Sequence, residues 1–175
     1  FYNCASLASV TFAGISTLTT IGYGAFQESA ITSIVIPASV TSIGNYAFYK
    51  ATTLASVTFD DIANSLLETI GNYAFRQTAL TSIIIPASVT SIEPYAFYVC
   101  ARLTTVTFAA RTNALTIGTS AFLSTPMLNT IYIDDGQKIN NETLASYTGT
   151  MDGFYGHVGT VTLNPVPTPI CFPAG

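Results

Sequence analysis

Leu80–Val99 reads LTSIIIPASVTSIEPYAFYV, and Ile31–Lys50 reads ITSIVIPASVTSIGNYAFYK; the second stretch begins 49 residues before the first. Near-identity at a fixed offset is the mark of a repeat architecture. Just before the proline of each copy, Ser and aliphatic residues alternate. That is the pattern of a short strand with one buried face.

Working outward, the same spacing recurs at Leu7-Val10-Phe12, Ile31-Ile34-Ile36, Leu54-Val57-Phe59, Leu80-Ile83-Ile85, Leu103-Val106-Phe108 and Leu128-Ile131-Ile133. The central residues step by 24, 23, 26, 23 and 25. A shortened seventh copy is read at Val158-Val161-Leu163. A second element follows each strand, a Val/Leu-x-x-Ile segment and then Ala-Phe. It runs from Leu18–Ile21 with Ala25-Phe26 to the fifth, Ala114–Ile117 with Ala121-Phe122. A small residue beside a large ring suits a tight inner corner, and the expectation there is a helical turn. Pro37 and Pro86 close the even strands, whereas odd strands lead into longer loops at Ala13–Thr17, Asp60–Leu66 and Ala109–Asn113.

One such coil cannot bury its own apolar face, but a stack of coils can. The expected fold is therefore a repeat solenoid with a parallel β-sheet on one side and short strands and helical turns on the other. Residues 1–133 form the array, 134–163 a C-terminal capping region and 164–175 a Pro-rich linker. Phe1 stands at the Phe of an Ala-Phe pair, so the array is expected to be cut mid-coil at its N-terminus.

The pattern L-x-x-V-x-F/I-P-x-x-V-x-x-I-x-x-x-A-F-x-x-C-x-x-L resembles the BspA-like leucine-rich repeat family, from Phe1 to about Ile133. The resemblance implies a leucine-rich-repeat solenoid with a parallel sheet along one side, on a cell-surface or secreted protein that acts in adhesion and protein recognition; the surface it is displayed on is read as that of a cell or a virion. Ala51 departs from the family's Cys position, and the coil after Phe122 lacks that Cys as well.

Composition narrows the function. Charged residues make up 8% of the chain, against roughly 25% in an ordinary soluble domain, so Ser and Thr must cover much of the surface. Five Lys+Arg and a net charge of −4 argue against nucleic acid as a partner. No apolar run approaches the roughly 20 residues that insertion into a membrane needs.

Chemistry is sparse. The single histidine, His157, has no Ser-His-Asp context and no phosphate loop accompanies it, so no enzyme and no cofactor are expected. Asp60-Asp61 and Asp134-Asp135 follow strands three coils apart, roughly 14 Å. One calcium with ligands at about 2.5 Å cannot bridge that span. Cys4 and Cys100 occupy equivalent places four coils apart, roughly 19 Å, and are read as buried free thiols. Cys171 opens Cys-Phe-Pro-Ala-Gly, which resembles the start of an intein or Hedgehog-type autoprocessing domain. That resemblance implies attack on the Ile170 carbonyl, with the base and oxyanion donors supplied downstream. The alternative is a tail thiol free to react or pair.

With the strand apolar residues inward, their neighbours point out. One column holds Ser9, Ser33, Ser56, Ser82, Thr105 and Thr130; the other holds Thr11, Val35, Thr58, Ile84, Thr107 and Tyr132. Thr160 and Thr162 are read as continuing them. This uncharged strip suits a protein or glycan on another surface, or self-association. The alternative is a structural spacer or assembly component of a cell-surface or virion fibre, joined to a downstream processing domain. A second candidate surface is the loop edge with Asp60, Asp61, Glu68 and Arg111. Asn141-Glu142-Thr143 is a glycosylation sequon.

Overall fold

The computed structural model of the protein describes residues 1–12, 16–133, 138–139, 142–143, 149–152 and 160–165. Stacked coils form a parallel-strand solenoid with three rows of backbone hydrogen bonds. The first row holds the longer strands β2 (Ser33–Ile36), β4 (Ser56–Phe59), β6 (Ser82–Ile85), β8 (Thr105–Phe108) and β10 (Thr130–Ile133), in two sheets, β2 with β4 and β6 with β8 and β10. The second is a continuous five-stranded parallel sheet of two-residue strands: β1 (Thr20–Ile21), β3 (Ser42–Ile43), β5 (Thr69–Ile70), β7 (Ser91–Ile92) and β9 (Thr116–Ile117).

The third row replaces the helical turn expected at Ala-Phe; no helix occurs among the described residues. The reason lies in where the amide groups go. Phe26 N–H donates to Ala47 O, Phe48 to Ala74, Phe75 to Ala96 and Phe97 to Ala121, at 2.7–2.8 Å. Those donors serve the next coil, so they are not free for bonds within one segment. Alternate amides close tight turns inside the coil, as when Tyr49 N–H donates to Tyr46 O. Two residues per coil then take left-handed backbone, for example Tyr46 and Lys50, Tyr73 and Gln77, Tyr95 and Val99. Such non-Gly positions cost about 1 kcal/mol or more each. The bonds between coils hold them there.

The core is one column of buried Leu, Ile, Val, Ala and Phe. Its most regular part is a stack of the repeat phenylalanines. Phe26, Phe48, Phe75, Phe97 and Phe122 follow one another at 5.1–5.2 Å between centroids and within 8° of parallel. Coil spacing sets that distance, and the repeat places a ring in every coil. Between the second and third rows the backbones nearly touch: a Cβ on Gly71 would lie 2.7 Å from Asn45 N and 2.8 Å from Gly44 C. Gly71 therefore has no room for a side chain unless the backbone shifts, although the next coil carries Glu93 at the equivalent place.

After β10 the chain forms β11 (Lys138–Ile139), β12 (Glu142–Thr143), β13 (Gly149–Asp152) and β14 (Thr160–Pro165). β14 joins β10 in parallel and β13 closes the edge antiparallel to it. The register differs from the expected seventh copy by two residues. Thr162 pairs with Thr130 and Leu163 with Ile131, so the strand reaches Pro165 and takes in the first two residues assigned to the linker. Because the shift is even, a period of two fits both registers, and alternation alone does not reveal it.

Candidate functional site

The outward columns stand where strand alternation puts them. Ser9, Thr11, Ser33, Val35, Ser56, Thr58, Ser82 and Ile84 are exposed, while Thr105, Thr107, Thr130 and Tyr132 are half-buried. Val35 and Ile84 are 50% and 49% exposed despite being aliphatic. No charged residue falls in either column.

The strand face is not a uniform strip, however. β2 pairs with β4 along all four residues, and β6 does the same with β8. Between β4 and β6 no ladder forms, and between the first coil and β2 there is a single bridge, Ser9 with Ser33. The cause is visible at the strand ends. Asp60 N–H donates to Ile36 O and Ala109 N–H to Ile85 O, both at 2.9 Å, tying odd coils onto the even coils before them. The equivalent positions of even coils are Pro37 and Pro86, which have no N–H to give to the preceding odd coil. β10 is not followed by proline, and its ladder with β8 is present.

Two clefts occupy the interrupted junctions. One, of about 300 Å³, is lined by Ser56, Val57, Thr58, Phe59, Ile62, Ser82, Ile83 and Ile84. The other, of about 270 Å³, is lined by Val10, Thr11, Phe12, Ser16, Val35, Pro37 and Asp60. Phe12 and Phe59 are half-buried there, whereas Phe108, beside an unbroken ladder, is fully buried.

The loop edge does not gather as a ligand set. Asp61 accepts bonds from the Asn64 side-chain amide at 2.7 Å and from the Ala63 and Asn64 backbone amides. The Asn64 amide, chiefly, holds its carboxyl below the ordinary range. Arg111 donates to Val89 O at 2.7 Å and Pro86 O at 3.0 Å, clasping the next-inner coil. Burial brings its pKa down to about 10. Among the described residues no cluster of His, Cys, Asp or Glu is placed to hold a metal ion. Cys4 and Cys100 are free; Cys100 is buried as expected, but Cys4, in the end coil, is only half-buried. Asn141, Asp134-Asp135, His157 and Cys171 lie outside the described residues.

One surface escapes the sequence pattern. Tyr46, Tyr73 and Tyr95 stack at 5.2 and 5.0 Å along the turn edge. Beside them the Arg76 guanidinium lies 5.1 Å from the Tyr49 ring and 5.0 Å from that of Tyr98. The signal is the recurrent Tyr two places before the repeat Phe, a position treated as a spacer when only Ala-Phe is followed.

The chain belongs to the BspA-type leucine-rich repeat family, whose pattern matches in six copies over residues 1–66 and 19–150. Among solved structures it is similar to the pneumococcal vaccine antigen PcpA, with 26% identity and a TM-score of 0.62 over 73% of this chain and 34% of that one. It is also similar to the T. pallidum leucine-rich repeat protein TpLRR, at 22% identity and a TM-score of 0.56, over 71% of this chain and 64% of the other. The chain thus spans only part of either protein's length. No curated protein matches it.

Proposed function

We propose that the chain is a non-enzymatic binding module, secreted or displayed at a surface, that recognises a protein or glycan through its strand face. The observation that carries this reading is the pair of uncharged outward columns, with Val35 and Ile84 half exposed among hydroxyls. Such a surface costs less to desolvate than a charged one. Membership of the BspA-type family and likeness to a bacterial vaccine antigen support the same reading.

The test is binding of the chain to glycan and surface-protein panels, with Thr58→Lys/Thr107→Lys alongside. Two lysines on exposed or half-exposed strand positions shift stability by about 0.5 kcal/mol or less each, so the variant folds. Loss of binding in the variant alone is the expected result. Binding retained by the variant moves the site to the loop edge. A second reading, a spacer without a ligand, is favoured by the unbroken phenylalanine stack; it predicts no binding by either protein.

A further inference from the structure

We infer that the turn edge carries a second binding site, separate from the strand face, at which Arg76 and the tyrosines around it take a carboxylate of an acidic peptide. Two observations carry this: a cation held in place without a counter-ion, and an excess of positive charge confined to the same edge.

Arg76 directly follows the repeat Phe75, and Tyr49 and Tyr98 stand at the same place in the coils on either side. The guanidinium is therefore held between two rings, 5.1 and 5.0 Å from their centroids, with a third, Tyr73, at 5.7 Å. Its one side-chain hydrogen bond is long, from Nη1 to the Tyr49 hydroxyl at 3.3 Å. Its buried Nε–H has no acceptor, and no carboxylate pairs with it among the described residues. Arg111 differs: it spends its N–H groups on the carbonyls of Val89, Pro86 and Ile85.

Charge singles out the same edge. Of the five Lys and Arg residues, three lie here: Lys50, Arg76 and Arg102. Lys50 sits over the Tyr49 ring, and Arg102 borders a shallow depression with Gln77 and Val99. The acid beside them, Glu28, pairs with Lys50 at 3.8 Å. Asp60 and Asp61 follow β4, and Glu68 and Glu93 flank β5 and β7, away from this edge. A positive edge on a chain of net charge −4 favours an anionic partner.

The rings decide which anion. A guanidinium meets a carboxylate through two parallel N–H···O bonds, and one already fixed between rings loses little freedom in doing so. Sugars are held largely by laying a ring on an aromatic face. Here Tyr46, Tyr73 and Tyr95 cover one another's faces, and Arg76 covers one face each of Tyr49 and Tyr98. What remains to meet a partner is phenol hydroxyls, which both donate and accept and so suit the N–H and C=O groups of a peptide. Tyr and Arg together are also the residues enriched where interfaces bind most strongly.

The experiment is fluorescence anisotropy at low salt, with the whole chain and three ligands carrying a neutral dye. The first is a peptide alternating Glu and Ser. The second has Gln for every Glu, and the third is an oligogalacturonate, whose carboxylates are borne on sugar. The first is expected to bind at least about tenfold more tightly than the second, and to weaken as salt is added. Arg76→Gln installs the residue that Gln27 already places at this position, and is expected to remove about tenfold of the affinity for the Glu peptide. Arg102→Thr, at an exposed position where Thr53 stands two coils earlier, is expected to remove about two- to fivefold.

Equal binding of the Glu and Gln peptides overturns the inference, and so does a Glu preference that survives Arg76→Gln. The guanidinium then serves only to join three coils. Tighter binding of the oligogalacturonate than of the Glu peptide overturns it in favour of an acidic glycan. If Arg76→Gln melts below the assay temperature, Arg102→Thr decides: an undiminished Glu preference there overturns the inference. The strand-face reading stands or falls separately, on Thr58→Lys/Thr107→Lys.

Discussion

The turn edge and the strand face belong to the same coils, yet they are held together differently. Along the turn edge every junction is alike. An inter-coil amide bond of 2.7–2.8 Å sits beside a pair of parallel phenylalanines 5.1–5.2 Å apart, from Phe26 through to Phe122. On the strand face the junctions differ, and β8 with β10 is laddered as well. β2 with β4 and β6 with β8 are fully laddered, whereas β4 and β6 share no ladder. The difference teaches that a repeat need be cohesive along only part of its perimeter. Where two other ladders already fix the coil spacing, the third can open into clefts without the stack coming apart.

The strongest way to break this comparison is to empty one ring from each side. Phe75→Ala removes a fully buried member of the stack and is expected to cost about 3–5 kcal/mol, measured by denaturant unfolding. Phe59→Ala removes a half-buried ring at an open junction and should cost less than half as much. Equal losses would mean that the strand face is as cohesive as the turn edge.

The next largest effect concerns the thiol behind the stack. Burial raises the pKa of Cys100 from 9.0 to about 11. The folded protein therefore keeps a proton that the unfolded chain releases. The resulting stability is fully present below pH 9, falls as pH rises from 9 towards 11, and levels off above. The loss amounts to about 3 kcal/mol at most. Tyrosines titrate in the same range, so the contribution is read as the difference from Cys100→Ala, a substitution that Ala51 already makes two coils away. Parallel pH profiles for the two proteins would show that Cys100 is not sealed by the coils around it.

The smallest effect sharpens the explanation of the open junction. Pro86→Ala restores an amide opposite Phe59. A new hydrogen bond contributes about 1 kcal/mol net, partly offset by the lost ring. Hydrogen exchange should then report a protected amide at position 86. Exchange as fast as that of an exposed loop would mean that proline is not what keeps β4 and β6 apart.

The tyrosines show why part of the surface was not legible. Following Ala-Phe finds the buried stack, because burial demands one residue type at every coil. Tyr46, Tyr73 and Tyr95 meet no such demand: Gly24 and Ser120 stand at the same place in other coils, and only the shared left-handed backbone marks it. Arg76 joins Tyr49 and Tyr98 across three coils, a contact that no spacing within one coil predicts. The helical turn expected at that corner is wrong for a related reason. A local pattern cannot say whether an amide bonds within its own segment or to the next coil.

The sequence by itself determined the phase of the first six coils, the inward column of Leu, Ile, Val and Phe, and the outward columns from Ser9 to Tyr132. A period of two along each strand, repeated at each coil, leaves no other way to bury those side chains. Only the tertiary structure decided which junctions close, how β14 registers on β10, and what the corner backbone does. Each of these depends on which donors and acceptors meet between coils. Pro37 and Pro86 are plain in the sequence, but the clefts they leave exist only once a neighbouring strand has arrived without a partner for its carbonyl.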